Sequence, residues 1–241
     1  MLKSAKITKI CGRKNITMNQ NRATCLMLFI AQILLFSCSQ QKETANEVES
    51  RVENLPFFNE ASFLPKWIIP ESDSLNNFHK IPDFNLINQE GDSVSQKSLE
   101  GKIYVANFFF TSCPGICPQM TSNMHILQDE FLDDDSVMLI SHSVTPNRDD
   151  VAKLKGYAEK RDINSKRWYL LTGDREQIYN LGRNAYFIEE NMGIEKTVDD
   201  FLHTENFVLV DKNKHIRGIY NGLNKTSVQQ LTTDIKTLKT E

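Results

Sequence analysis

Between residues 81 and 238 the chain alternates short apolar runs with stretches of helical period. Ile81, Asp83, Phe84, Asn85 and Leu86 alternate apolar and polar positions, and Gln89-Glu90-Gly91-Asp92 then leads to Val94, which predicts a hairpin with an acidic glycine turn. Residues 103–110 are almost continuously apolar, the pattern of a central strand buried on both faces. Met120, Met124, Leu127 and Phe131 recur at helical spacing before the acidic stop Asp133-Asp134-Asp135. Residues 137–144 predict a second strand. Thr145-Pro146 reads as a helix N-cap with proline at the first helical position, opening a helix over 146–160 with Val151, Leu154, Tyr157 and Ala158 on one face.

Residues 168–171 predict a third strand, and Thr172-Gly173-Asp174 caps a helix carrying Ile178 and Leu181. After an irregular region, residues 206–210 and 215–220 read as a hairpin across Asp211-Lys212-Asn213-Lys214. Val228, Leu231, Ile235 and Leu238 end the chain as an amphipathic helix. Strands alternating with helices, then a hairpin and a helix, predict a three-layer α/β sandwich in a single domain.

The N-terminus departs from this pattern. Residues 1–37 hold six basic residues and no acidic one, followed by an apolar run over 23–36, too short for a comfortable membrane span of about 20 residues and in the charge order of a secretory signal. The run ends in Leu35-Phe36-Ser37-Cys38, which resembles a bacterial lipobox whose cysteine is lipidated; an uncleaved anchor helix is the competing reading. Met18 is an alternative start, since Met18-Asn19-Gln20-Asn21-Arg22 supplies a basic region by itself. The expected organisation is a signal peptide over 1–37, a polar tether over 38–54 and a folded domain over 55–241, attached to a membrane through Cys38 and lying outside the cytoplasm. Aromatics and prolines in 55–58 and 63–70 predict an extended segment packed on the domain surface, with a partner-docking patch as the alternative.

Losing the six positive charges of the leader takes the formal net charge from −3 to −9. So acidic a body argues against nucleic acid as a partner. The folded domain then holds two cysteines, Cys113 and Cys117, in Thr111-Ser112-Cys113-Pro114-Gly115-Ile116-Cys117-Pro118 between the first long strand and the next helix. A bridge between them would close a very short loop and contribute little as a staple, which points to chemistry, either as two soft ligands or as a redox pair. With Pro118 opening the helix, Cys117 is expected at its N-terminal end, where free backbone donors and the dipole favour a thiolate. There is no phosphate loop, Ser-His-Asp order or dinucleotide fingerprint.

The cysteine segment resembles the C-P-x-[VI]-C-P signature of the Sco/SenC family, thioredoxin-like copper proteins that serve cytochrome c oxidase assembly. Two other segments agree. Ser143-Val144-Thr145-Pro146-Asn147-Arg148-Asp149 is similar to the family's S-x-D-P-x-R-D, with Thr145 in place of its aspartate, and His203 precedes Phe207-Val208-Leu209-Val210-Asp211 where the family keeps a metal-binding histidine. The resemblance spans about residues 55–240. It implies a thioredoxin-like sandwich and a copper site of Cys113, Cys117 and His203. Arg148 and Asp149 are expected as scaffolding near that site.

Thiolates suit Cu(I), and imidazole accommodates both Cu(I) and Cu(II), so two sulfurs and one nitrogen make a low-coordinate site that a partner can enter. A structural zinc site would want four closed ligands. His79, His125, His142 and His215 have no partner at ligand spacing, and Met120 and Met124 fit core packing better than ligation. The implied function is a metallochaperone delivering copper to the dinuclear copper site of an oxidase subunit. The alternative is an envelope thiol-disulfide oxidoreductase acting through the redox pair Cys113 and Cys117 on target cysteines or other envelope copper and thiol-redox proteins. A copper sensor or peroxide-defence protein would use the same residues. Three residues between the cysteines, rather than the two that general redox proteins of the fold favour, tilt the reading toward metal.

Overall fold

The computed structural model describes residues 52–70, 72–188, 202 and 204–241. The chain forms two units, Met1–Glu47 and Val48–Glu241. The first, with Cys38 and the expected signal peptide, lies outside the described residues. Of the expected tether, only residues 52–54 are described, and Val52 packs against the core.

A small hairpin, β1 (Asn85–Ile87) and β2 (Ser93–Ser95), precedes the main sheet. The predicted alternation from Ile81 gives only three strand residues. Ile81 and Phe84 are nevertheless buried, so the alternation reported burial rather than strand length. The main sheet holds β3 (Ile103–Phe109), β4 (Val137–Ser143), β5 (Trp168–Leu171), β6 (Asn206–Val210) and β7 (Ile216–Asn221), in the order β5-β4-β3-β6-β7. β3, β4 and β5 run parallel; β6 is antiparallel to both β3 and β7. β3 and β4 are buried along their whole length, as their unbroken apolar runs require.

Residues alternate between two apolar layers. Val105, Phe109, Leu139, Phe207 and Leu209 face one layer, filled by α1 (Cys117–Glu130), α2 (Val151–Lys160) and α4 (Lys225–Leu238). Tyr104, Ala106, Phe108, Ile140 and Val208 face the other, closed by the hairpin, by α3 (Arg175–Asn180) and by the π-helical turn Leu181–Ala185. Helices thus cover one face, and a helix with a hairpin covers the other. Gln89 docks the hairpin on the β5 edge: its amide donates to the Trp168 carbonyl and accepts from Leu170 N–H, both at 2.8 Å. Across the three parallel strands, Trp168 Nε1 donates to Ser141 Oγ (2.8 Å), which donates to Asn107 Oδ1 (2.5 Å).

One helix start differs from expectation. α2 begins at Val151, not Pro146, and its N-cap is Asp150, whose carboxylate accepts from Lys153 N–H at 2.8 Å. Residues 145–149 form a tight turn instead, closed by Arg148 and Asp149 N–H groups on the Thr145 carbonyl. α3 and α4 take the side-chain caps Asp174 and Asn224.

Leu55 and Phe57 are buried, so the extended N-terminal segment packs there as expected, whereas Leu64, Trp67 and Ile69 stand out in solvent. No helix among the described residues is long and apolar enough to cross a membrane.

Candidate functional site

β3 delivers the chain at the end of the sheet into the loop that carries Cys113. The loop turns back at once, Cys113 N–H donating to the Phe110 carbonyl at 3.3 Å, and then enters α1 at Cys117. Ile116 occupies the N-cap position without a side-chain bond, and Pro118 falls in the first turn, where its missing N–H costs nothing. Both cysteines are free thiols; Cys113 is half-buried and Cys117 is buried in the core layer.

The two thiols lie close enough to shift each other's ionisation, and they are not equivalent. Burial opposes ionisation of Cys113, but donation from the Cys117 thiol and from the backbone at Cys117, Gly115 and Ile116 outweighs it and holds Cys113 below its ordinary value of 9.0. Burial pushes Cys117 up, and its hydrogen bond to Cys113 pushes it further. The expected thiolate at the helix N-terminus is therefore corrected: it forms on Cys113. The physical reason is the turn-back of the loop, which aims the free N–H groups of the helix start at the sulfur four residues upstream.

Tyr157 of α2 forms a wall beside the pair. Its hydroxyl shares a 2.9 Å hydrogen bond with Thr121 Oγ1, which also donates to the Cys117 carbonyl at 2.8 Å, and its ring packs on Phe109. Burial raises the Tyr157 phenol, and nearby Cys117 and Cys113 add to the rise, so it stays a neutral donor.

Asp149 ties the loop to the sheet. Its carboxylate accepts from Thr111 Oγ1 (2.6 Å) and Thr111 N–H (3.1 Å), from Ser143 Oγ at the end of β4 (2.6 Å), and from Thr145 Oγ1 (3.0 Å). Asp149 is only 1% exposed. Thr145, where the resemblance leads one to expect aspartate, is one of the donors to this carboxylate. A second carboxylate at that position would meet Asp149 instead of donating to it.

His203 lies outside the described residues. Its neighbours Leu202 and Thr204 are both buried, just ahead of β6. Because β6 is antiparallel to β3, with Val208 opposite Ala106 and Val210 opposite Tyr104, the chain enters β6 at the end of the sheet from which the cysteine loop leaves. The other histidines lie elsewhere. His142 is buried among Phe84, Phe108 and Tyr186; His125 packs on Trp168; His215 stands 3.5 Å from Asp211; and His79 pairs with the Ala185 carbonyl at 2.7 Å. Met120 and Met124 are fully buried in the core. Among the described residues no three His, Cys, Asp or Glu side chains come together as a metal cluster.

The family model described as SCO1/SenC matches residues 72–240. The chain belongs to the SCO1/SenC family. Three solved Sco structures share its fold. BsSco, in which a disulfide switch was identified and which is described as a member of the Sco family of cytochrome c oxidase assembly proteins, is 31% identical, with a TM-score of 0.57 over 67% of this chain and 94% of its own. A SCO1/SenC family lipoprotein from Bacillus anthracis is 30% identical, with a TM-score of 0.56 over 67% and 95%. ScoI of Bradyrhizobium japonicum with copper bound is 27% identical, with a TM-score of 0.52 over 65% and 98%. The central sheet with its flanking helices is the thioredoxin-like architecture of these Sco proteins.

Sequence reasoning placed Asp149 near the site without showing that it gathers four donors, and it read Tyr157 only as a core position. Ser143 and Thr145 lie in the same stretch as Asp149, but Thr111 comes from 38 residues upstream, and no local spacing reports that long-range contact.

Proposed function

We propose that this SCO1/SenC protein is a metallochaperone that binds copper through Cys113 and Cys117, with His203 as third ligand, and passes it to the copper-bearing subunit of a cytochrome c oxidase. The observation that carries the reading is the pair of free, neighbouring thiols at one end of the sheet. Two adjacent sulfurs are a soft donor set suited to Cu(I). Cys113 is already biased toward thiolate, and Cys117 releases its proton when metal arrives, so copper uptake is coupled to proton release. Copper bound in a ScoI relative, and the description of BsSco as belonging to a family of oxidase assembly proteins, support the cargo and the kind of partner. The lipobox ending at Cys38 and the lipoprotein from Bacillus anthracis support a lipid-anchored location in the cell envelope, outside the cytoplasm.

The asymmetry of the thiols favours a second reading, thiol-disulfide exchange. The Cys113 thiolate would attack a target disulfide and expel one target thiolate. Cys117 would then lose its proton and displace the other, leaving a Cys113–Cys117 disulfide and a target reduced by two electrons. Anaerobic Cu(I) competition on the reduced protein, with His203→Ala alongside, separates the two. One tightly held copper, weakened in the variant while dithiol exchange persists, supports the chaperone. Weak binding in both, with a readily reducible disulfide, supports exchange.

A further inference from the structure

Leu64, Trp67 and Ile69 are 57%, 63% and 76% exposed, three large apolar side chains within six residues. Three such side chains this close along the chain fit an interaction surface better than a solvated face. Its place in the fold narrows the choice of partner. Phe57 and Lys66 exchange backbone hydrogen bonds of 2.9 and 2.8 Å, and Phe58 N–H donates to the Ile216 carbonyl at 3.0 Å, which fixes the segment along the β7 edge. Arg217 reinforces the attachment: its guanidinium donates to the Leu55 and Pro56 carbonyls and lies over the Phe57 ring. Ile216 pairs with Val210, and Val210 with Tyr104, so the attachment is level with the start of β3. The cysteine loop leaves the other end of that strand, in the middle of the sheet. A copper acceptor must reach the cysteines, and so it approaches from elsewhere.

What lies near this segment in the chain is the lipobox. Only sixteen residues separate Cys38 from Leu55, a reach of at most roughly 60 Å even if fully extended. A surface tethered this closely meets the membrane at high effective concentration, where a small apolar patch is enough. Tryptophan favours the headgroup level of a bilayer, and Lys66, between Leu64 and Trp67, can keep its ammonium in the headgroups.

We propose that Leu64, Trp67 and Ile69 seat in the surface of the membrane that holds the chain, so that the domain rests on the bilayer by its β7 edge with the cysteine loop turned away. The proposal rests on the anchored reading above and adds to it an orientation. Because the body is acidic, the seating is apolar rather than electrostatic, so it persists on zwitterionic phosphatidylcholine and at high salt.

The chain supplies its own probe. It has two tryptophans, and Trp168 is 1% exposed, so a change in emission on lipid contact belongs to Trp67. The full chain is reconstituted in phosphatidylcholine vesicles with brominated acyl chains. In parallel, a chain in which a histidine tag replaces residues 1–38 is held on the same vesicles by nickel-chelating lipid; among the described residues both core layers, with Val52 packed against one of them, come from residue 52 onward, and this form retains all of them. The expected result in both forms is a blue shift and quenching of Trp67 that Trp67→Phe abolishes. Unshifted, unquenched Trp67 emission on vesicle-bound protein overturns the proposal, as does a blue shift that depends on protein concentration without lipid, which would make the occupant a second copy. Failure of the full chain to float with vesicles, with Trp67 still quenched in the tag-held form, removes the lipid on Cys38 and leaves the docking surface standing.

Discussion

Asp149 holds Thr111 twice, by the hydroxyl at 2.6 Å and by the backbone N–H at 3.1 Å. Thr111 is two residues before Cys113, so the height of the cysteine loop above the sheet is set by a carboxylate that enters from the turn before α2. Asp149→Ala strands the donors of Thr111, Ser143 and Thr145 in a buried site and should cost about 2–4 kcal/mol, read by urea denaturation of the reduced protein. Asp149→Asn keeps one acceptor oxygen and should fall between the two. Alkylation of Cys113 at fixed pH should change in the same order; wild-type alkylation in both variants would show that the loop holds its place without the clamp.

The paired thiols make a prediction that can be checked without metal. Iodoacetamide should modify Cys113 well before Cys117 in the reduced protein, as peptide mapping would report. Cys117→Ala removes the thiol that donates to Cys113, and the midpoint of Cys113 ionisation should rise, followed by thiolate absorbance against pH. A midpoint that stays put would assign the lowering to backbone donors alone. Since Cys117 must give up a proton to bind copper, Cu(I) affinity should increase with pH through the neutral range.

His142 is fully buried, stacked on Phe108, and neither ring nitrogen has a hydrogen-bond partner. Burial lowers its pKa from 6.5 to about 3. Between those values the unfolded chain binds a proton that the folded chain refuses, so stability is intact above about pH 6.5 and is lost as pH falls toward 3. The slope from this one residue approaches about 1.4 kcal/mol per pH unit. His142→Leu should flatten that part of the pH–stability curve and leave neutral-pH stability equal or higher, because it removes two unpaired nitrogens. An unchanged acid slope in His142→Leu would locate the sensitivity elsewhere.

Gly182 sits in the π-helical turn with no room for a side chain. A Cβ there would lie 2.7 Å from Leu202 Cδ2, 3.1 Å from Ile188 Cδ1 and 3.2 Å from Phe108 Cε1. Gly182→Ala should cost about 1–3 kcal/mol. Because Leu202 is the residue before His203, the same substitution should weaken Cu(I) binding more than an equally destabilising truncation of Leu231 in α4. Equal effects on copper would uncouple Leu202 from the proposed ligand.

The parts of the fold that were legible in the sequence were those whose signal is local. The unbroken apolar runs of β3 and β4 and the 3.6 period of α4 are properties of single segments, and each element formed where its pattern lay. Thr145-Pro146 misled because its cap-and-proline grammar is correct for a helix start. There, however, Thr145 Oγ1 donates to Asp149, and Asp150 takes the cap five residues later. The thiol pair shows the same limit: position predicts that Cys117 lies at the helix N-terminus, but only the path of the loop decides which sulfur receives the free N–H groups.

The hydrogen-bonded series from Trp168 through Ser141 to Asn107 crosses three adjacent strands in the middle of a mostly apolar sheet. In a purely aliphatic sheet, neighbouring strands displaced by two residues would present the same faces and differ little in burial. Here displacing β5 against β4 orphans an indole N–H, displacing β3 against β4 orphans a hydroxyl and an amide oxygen, and displacing β4 breaks both bonds, each deep in the interior. The three residues act as a vernier between strands: they admit one alignment, and so the ends of β3 and β4, from which Thr111 and Ser143 reach the same carboxylate, arrive level with each other.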